Sequence, residues 1–258
     1  MYLDDILEHH RTLARLDHRE VSDLVAQTRS MSPIRGFRDA IVDTSRHHLA
    51  VIAEIKRQSP SRGILNATLD PTSIAVIYED GGASCLSVLT DEKYFGGSQT
   101  DLAKARRASP LPVIRKDFIV SLNDVCDTRL MGADCILLIA SALSKSELSE
   151  FYQFASDVGL DALVEVHDED ELEHALDVGA NLIGVNQRDL TTFEVDHDRA
   201  KNLAARIPPG VVKVAESGVR NGDDARALRD AGYDAVLVGE TLVTSGDIAT
   251  TLRALLVP

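Results

Sequence analysis

The sequence predicts an α/β chain folded as a (β/α)8 TIM barrel, with residues 1–50 as a helical extension before the first strand. Three observations carry that class. Apolar strand-like runs recur eight times: VIAEI (51–55), CLSVL (85–89), PVIR (112–115), CILLI (135–139), ALVEV (162–166), LIGV (182–185), VVKVA (211–215) and AVLV (235–238). Five joints before these runs repeat one pattern: Gly82-Ala83-Ser84, Gly132-Ala133-Asp134, Gly159-Leu160-Asp161, Gly179-Ala180-Asn181 and Gly232-Tyr233-Asp234. Glycine there ends a helix through the left-handed cap, and the short polar residue leads into the strand. The 258 residues also match the about 250 of a typical barrel. Strands alternating with helices make a parallel sheet. Eight units favour closure; the alternative is an open doubly wound sheet, whose GxGxxG fingerprint is absent after the first strand.

The elements follow in order. Residues 2–50 read as helical. Leu3, Ile6, Leu7 and Leu13, then Val21, Leu24 and Val25, recur near the helical period. Ser32-Pro33 reads as an N-cap with proline at the first helical position, which predicts a helix over 33–44. Nothing in this region pairs with a strand, so it stands as an extension of one barrel domain over 1–258. Helical periodicity returns between the strands at 74–79, 102–107, 123–131, 146–157, 169–177, 199–206 and 223–230. A last helix at 248–256 closes the chain. Pro208-Pro209-Gly210 is a loop inside this repeat, not a domain boundary.

Composition narrows the function. The net charge of −14 argues against nucleic acid or an anionic membrane as partner. No apolar run reaches the about 20 residues of a membrane span. The start, MYLDDILEHHRTLARLDHRE, lacks the apolar middle of a signal peptide, so the cytoplasm is expected. Cys85, Cys126 and Cys135 form no CxxC and are expected as buried, reduced thiols. His9-His10 and His47-His48 fall in the extension, and His167 follows the fifth strand without HxH or HExxH spacing. No metal site is expected.

The chemistry gathers at strand ends. In VIAEIKRQSPSRG (51–63), Glu54 and Lys56 sit two residues apart, on one face of a strand. Charges at the end of an apolar segment are costly unless something pairs or uses them. The chain has only seven lysines, and none precedes Lys56. Lys116 ends the third strand, Glu165 lies in the fifth, and Asn186 and Arg188 follow the sixth. A barrel works at the C-terminal ends of its strands. Two lysines and two glutamates meeting there would shift one another's pKa values, as acid–base catalysis requires. Ion pairs of Lys56 with Glu54 and of Lys116 with Asp117 are the plain structural reading. Schiff-base chemistry at either lysine is the main chemical alternative. AESGV and VGET put glycine just past the seventh and eighth strands, where barrels often bind phosphate through backbone N–H groups.

IAEIKRQSPSRG, LSVLTDEKYFGGS, PVIRKDFIV, GADCILLIA, LVEVH, IGVNQRDLTTFEVD, AESGV and VLVGETLV together closely resemble the indole-3-glycerol phosphate synthase family, in order, from about residue 37 to the C-terminus. The resemblance implies a barrel lyase of tryptophan biosynthesis with no metal or organic cofactor. It would close the indole ring of 1-(2-carboxyphenylamino)-1-deoxyribulose 5-phosphate with loss of CO2 and water. It leaves room for association with other enzymes of that pathway. Carried over by the resemblance, Lys116 is the general acid on the ketose oxygen and Glu165 the acid/base of the dehydration. Glu54 orients the lysines, and Lys56 contacts the substrate anions with a share in proton transfer. Asn186, Arg188 and Ser59 lie near the substrate carboxylate. Ser217, Gly218, Gly239 and Glu240 bind the phosphate, Glu240 through its backbone. Phe118 and Leu137 wall the aromatic ring. Two departures stand out: Gln187 where the family usually has a second Asn, and Leu122-Asn123 where Tyr-Gln is common.

Two other readings are open on the residues. One is another phosphate-binding barrel such as phosphoribosylanthranilate isomerase, which would be expected to use a Cys/Asp pair. The other is a barrel that binds phosphates without catalysis. The Ser59-Pro60-Ser61 loop is expected to act as a flap over the substrate.

Overall fold

The computed structural model describes residues 2–60, 62–190 and 192–258. All eight predicted strands form: β1 (Ala50–Ile55), β2 (Cys85–Leu89), β3 (Val113–Lys116), β4 (Cys135–Ile139), β5 (Asp161–Val166), β6 (Leu182–Asn186), β7 (Val212–Glu216) and β8 (Ala235–Val238). Each pairs in parallel with the next, and β8 returns to β1, closing the barrel. Three helices come first: α1 (Tyr2–Leu16), α2 (Val21–Thr28) and α3 (Phe37–Ser45). The rest follow the strands: α4 (Pro71–Gly81), α5 (Glu92–Phe95), α6 (Gln99–Ala108), α7 (Leu122–Leu130), α8 (Lys145–Asp157), α9 (Glu169–Asp177), α10 (Arg199–Ala204), α11 (Gly222–Asp230), α12 (Glu240–Val243) and α13 (Ile248–Leu255).

Strand alternation sorts the side chains into two cores. Val51, Ala53 and Ile55 of β1 face the helices, in one apolar cluster with Tyr78, Leu86 and Leu252. Ala50 and Ile52 face the barrel interior with Cys85, Ile114, Cys135, Leu137, Leu163, Val214 and Leu237. The same alternation turns Glu54 and Lys56 inward at the top of β1. All three cysteines are free and buried, as the sequence predicts.

The repeated joints behave as their residues require. Their five glycines hold positive φ between 77° and 95°, which a β-carbon would strain. At the aspartate joints the carboxylate then ties the strand to its surroundings. Asp134 accepts the backbone N–H of Val113 and of Arg35, each at 2.8 Å, and Asp234 accepts that of Lys213 at 2.9 Å.

The extension differs from the prediction at one point. Ser32-Pro33 starts no helix; α3 begins at Phe37, after Gly36 with φ 72°. Tertiary bonds outcompete the local signal here. Arg35 is held by Asp134 and by the carbonyls of Ser109, Leu111 and Arg106, which keeps residues 32–36 out of a helix. Phe37 and Ile41 of α3 then pack against the bottom of the barrel interior. At the other end, α1 lies against the mouth: Ile6 packs with Phe118, Leu137 and Ile139. No described helix is long and apolar enough to cross a membrane.

Candidate active site

Four inward-facing strand ends place charges in one layer above the apolar interior. Lys116 ends β3, Glu165 lies in β5, Glu216 ends β7, and Glu54 lies in β1. Lys116 Nζ donates to Glu165 Oε2 at 2.8 Å and lies 3.6 Å from Glu216 Oε2. Lys56 Nζ pairs with Glu54 Oε1 at 2.5 Å. The expected pair of Lys116 with Asp117 does not form. Consecutive strand residues face opposite ways, so Asp117 turns to Arg115, at 2.8 Å, while Lys116 turns inward.

Asn186 donates to Glu165 Oε1 at 3.0 Å, so both oxygens of that carboxylate are held. Burial raises the pKa of Glu165, but the ammonium of Lys116, with His167 and Asn186, outweighs it and keeps Glu165 ionised. Glu216 goes the other way. Burial and the neighbouring negative Glu165 push its carboxyl well above the ordinary range, against the pull of Lys116. Lys116 is held protonated, since Glu165, Glu216 and Glu54 outweigh its burial. Beside Lys116, one carboxyl of this layer is thus held below the ordinary range and one is pushed above it. Unequal neighbouring groups of this kind suit acid–base work.

The layer floors a cavity of about 290 Å³. Its lining includes every candidate named from the sequence: Glu54, Lys56, Ser59, Lys116, Phe118, Leu137, Glu165, Asn186, Arg188, Ser217, Gly218, Gly239 and Glu240. Leu3 and Ile6 of α1 complete the apolar wall. Ser217 and Gly218 hold consecutive positive φ of 66° and 76° at the end of β7. A non-glycine residue in that conformation is uncommon and clusters at functional sites. Gln187, one of the two departures, donates to the Ser217 carbonyl at 2.7 Å and so braces this corner from outside the cavity. Asn123, in the other, reaches Asp17 and the Arg19 carbonyl, tying α7 to the extension.

Sequence reasoning misses two residues. Glu216 is visible there only as a polar strand end; its signal is the inward register of Val212, Val214 and Glu216. His10 lies in α1, yet its Nε2 sits 2.9 Å from Asp91 Oδ2 and its ring 5.6 Å from that of Phe118. His10, Asp91 and Asp117 could offer ligand atoms within 4.8 Å of one another. Asp117 is already bound to Arg115 and to the Phe118 N–H, so the cluster reads as an anchor for α1.

A family model described as indole-3-glycerol phosphate synthase matches residues 3–255. This chain belongs to the indole-3-glycerol phosphate synthase family. A relative of that name from Parafrankia sp. (strain EAN1pec) is 46% identical over 245 residues, covering 95% of this chain and 91% of its own. Indole-3-glycerol phosphate synthase 1 of Streptomyces coelicolor is 44% identical over 258 residues, covering 98% and 94%. Among solved structures, a thiamine phosphate pyrophosphorylase from Pyrococcus furiosus superposes with a TM-score of 0.60 at 15% identity, covering 82% of this chain and 95% of its own. An N-acetylmannosamine-6-phosphate 2-epimerase from Clostridium perfringens gives 0.59 at 14%, covering 78% and 90%. At such identities these two speak for the barrel fold alone.

Proposed function

We propose that the chain converts 1-(2-carboxyphenylamino)-1-deoxyribulose 5-phosphate to indole-3-glycerol phosphate, CO2 and water. The observation that carries this reading is Lys116 Nζ set between the carboxyl groups of Glu165 and Glu216 under an apolar wall. Lys116 gives its proton to the ketose oxygen as the aryl carbon attacks the carbonyl carbon, and the same positive charge favours the developing alkoxide. Loss of CO2 restores the aromatic ring. Glu165 takes the ring proton in the dehydration and passes it to the departing hydroxyl, which leaves as water. Glu54 holds Lys56, which with Arg188 offers positive charge to the substrate's two anions. Ser59 and Asn186 serve the carboxylate side; Ser217 and the backbone N–H groups of Gly218, Gly239 and Glu240 serve the phosphate. Phe118 and Leu137 flank the aromatic ring.

The reading has the chain working in the cytoplasm on a small phosphorylated substrate, without nucleic acid or membrane, as one barrel domain with its extension. The isomerase alternative has less support, since no cysteine is found among the described residues lining the cavity. The test is direct. Purified protein is given the substrate and indole fluorescence is followed; folded protein that yields no product would sink the reading.

A further inference from the structure

Glu165 has a second neighbour behind it. His167 Nε2 lies 3.5 Å from Glu165 Oε1, is buried, and has no hydrogen-bond partner among the described residues. The other ring nitrogen, Nδ1, lies 3.0 Å from Glu171 Oε2, which also accepts the His167 backbone N–H at 2.8 Å. The ring is thus gripped at one end by α9, and its other end aims at Glu165. His167 does not line the cavity.

We infer that His167 is a positioning residue for Glu165: a cation held by Glu171 that keeps Glu165 ionised when Lys116 gives up its proton. The inference rests on the proposed function. Once the Lys116 ammonium becomes an amine, Glu165 loses its nearest positive charge. Glu216, a carboxyl group, supplies none. A fixed opposite charge within about 4–6 Å favours the ionised carboxylate. His167 gains and loses no proton in this step; the Lys116 proton goes to the substrate oxygen, and Glu165 stays free to take the later one.

The charged groups facing the ring are Glu165, Glu171 and Arg199. Burial and Arg199 disfavour the imidazolium, but Glu171 and Glu165 outweigh them, so His167 stands above the ordinary value of 6.5. The cation is present below that raised pKa and lost as pH rises through it.

Two measurements test this. The His167 ring is titrated by NMR in the wild type, E165Q and E171Q, its signal assigned with H167Q. The kcat and KM of wild type, H167Q and E171Q are measured across pH. His167 is expected to titrate above 6.5 in the wild type and lower in both glutamine variants. H167Q should lower kcat about tenfold, equivalent to one pKa unit of interaction, with KM within about twofold. The wild-type kcat should fall as His167 deprotonates, and H167Q should lack that limb. An unchanged His167 titration in both glutamine variants, or a wild-type kcat in H167Q, overturns the inference. A wild type that makes no product, yet shows the coupled titration, sinks the proposed function while upholding the pairing.

Discussion

Gly184 makes room for the Glu216 side chain from the neighbouring strand: a β-carbon at Gly184 would fall 2.1 Å from Glu216 Oε1. That is far inside contact distance, so the glycine is what lets the carboxyl sit beside Lys116. Gly184→Ala should force Glu216 aside while leaving the barrel folded. We expect kcat to fall at least about tenfold, read by indole fluorescence, with little change in the far-ultraviolet dichroism. Unchanged kcat would mean that the seat of Glu216 does not matter to the reaction.

Lys116→Met should abolish turnover while binding of a substrate analogue largely survives in calorimetry. It should also cost stability. Removing one partner of a buried ion pair typically costs about 3–5 kcal/mol, because the other charge stays buried. Glu165→Gln should cut kcat severely as well. Near-wild-type kcat in Lys116→Met would show that the acid lies elsewhere.

Glu216 makes stability depend on pH in a defined direction. Its folded pKa is raised well above the ordinary 4.5. The folded chain therefore holds a proton that the unfolded chain releases. This contribution is fully present below 4.5 and is lost as pH rises toward the folded pKa. Glu216→Gln keeps a neutral group in place, so its stability relative to wild type should grow from about pH 5 to about pH 8 in urea unfolding. A difference that stays flat over that range would show that Glu216 is ionised in the folded chain.

These groups differ in how readable they are from the sequence. The strands are legible because barrel strands are buried on both faces and so read as continuous apolar runs. Glu54, Lys56, Lys116 and Glu165 are legible because a charge in such a run stands out. Glu216 is harder, since AESGV also reads as a turn, and its meaning depends on the space left at Gly184. Ser32-Pro33 misleads because Asp134, far along the chain, holds Arg35 out of a helix. His10 cannot be read at all: its partners Asp91 and Phe118 come from the loops of other strands.

His10 yields its own prediction. It joins α1 to the mouth through Asp91, and Arg11 adds a pair with Glu147 at 2.8 Å. His10→Ala should cost about 1 kcal/mol, in line with one lost hydrogen bond. Because Leu3 and Ile6 line the cavity, a loosened α1 should raise KM severalfold with kcat nearly kept. Limited proteolysis should cut α1 faster in the variant; equal cleavage and equal KM would remove His10 from the account.

The loop after β1 offers the last test. Residues Gln58–Ser59 pair with Gly63–Ile64 as a short antiparallel hairpin, and Ser61 lies outside the described residues. Ser59 and Pro60 line the cavity, and Ser59 Oγ is buried with no hydrogen-bond partner among the described residues. Arg62 reaches across to Glu240 at 3.0 Å, but its side chain is 66% exposed. An exposed pair of this kind is worth about 0–1 kcal/mol. The hairpin is therefore held lightly on the Glu240 side, as a flap over a substrate would need to be. Hydrogen exchange over residues 57–66 should slow when a phosphorylated substrate analogue binds. Arg62→Ala should leave exchange of the free protein nearly unchanged. If the analogue binds and exchange over 57–66 does not slow, the loop is a fixed wall and not a flap.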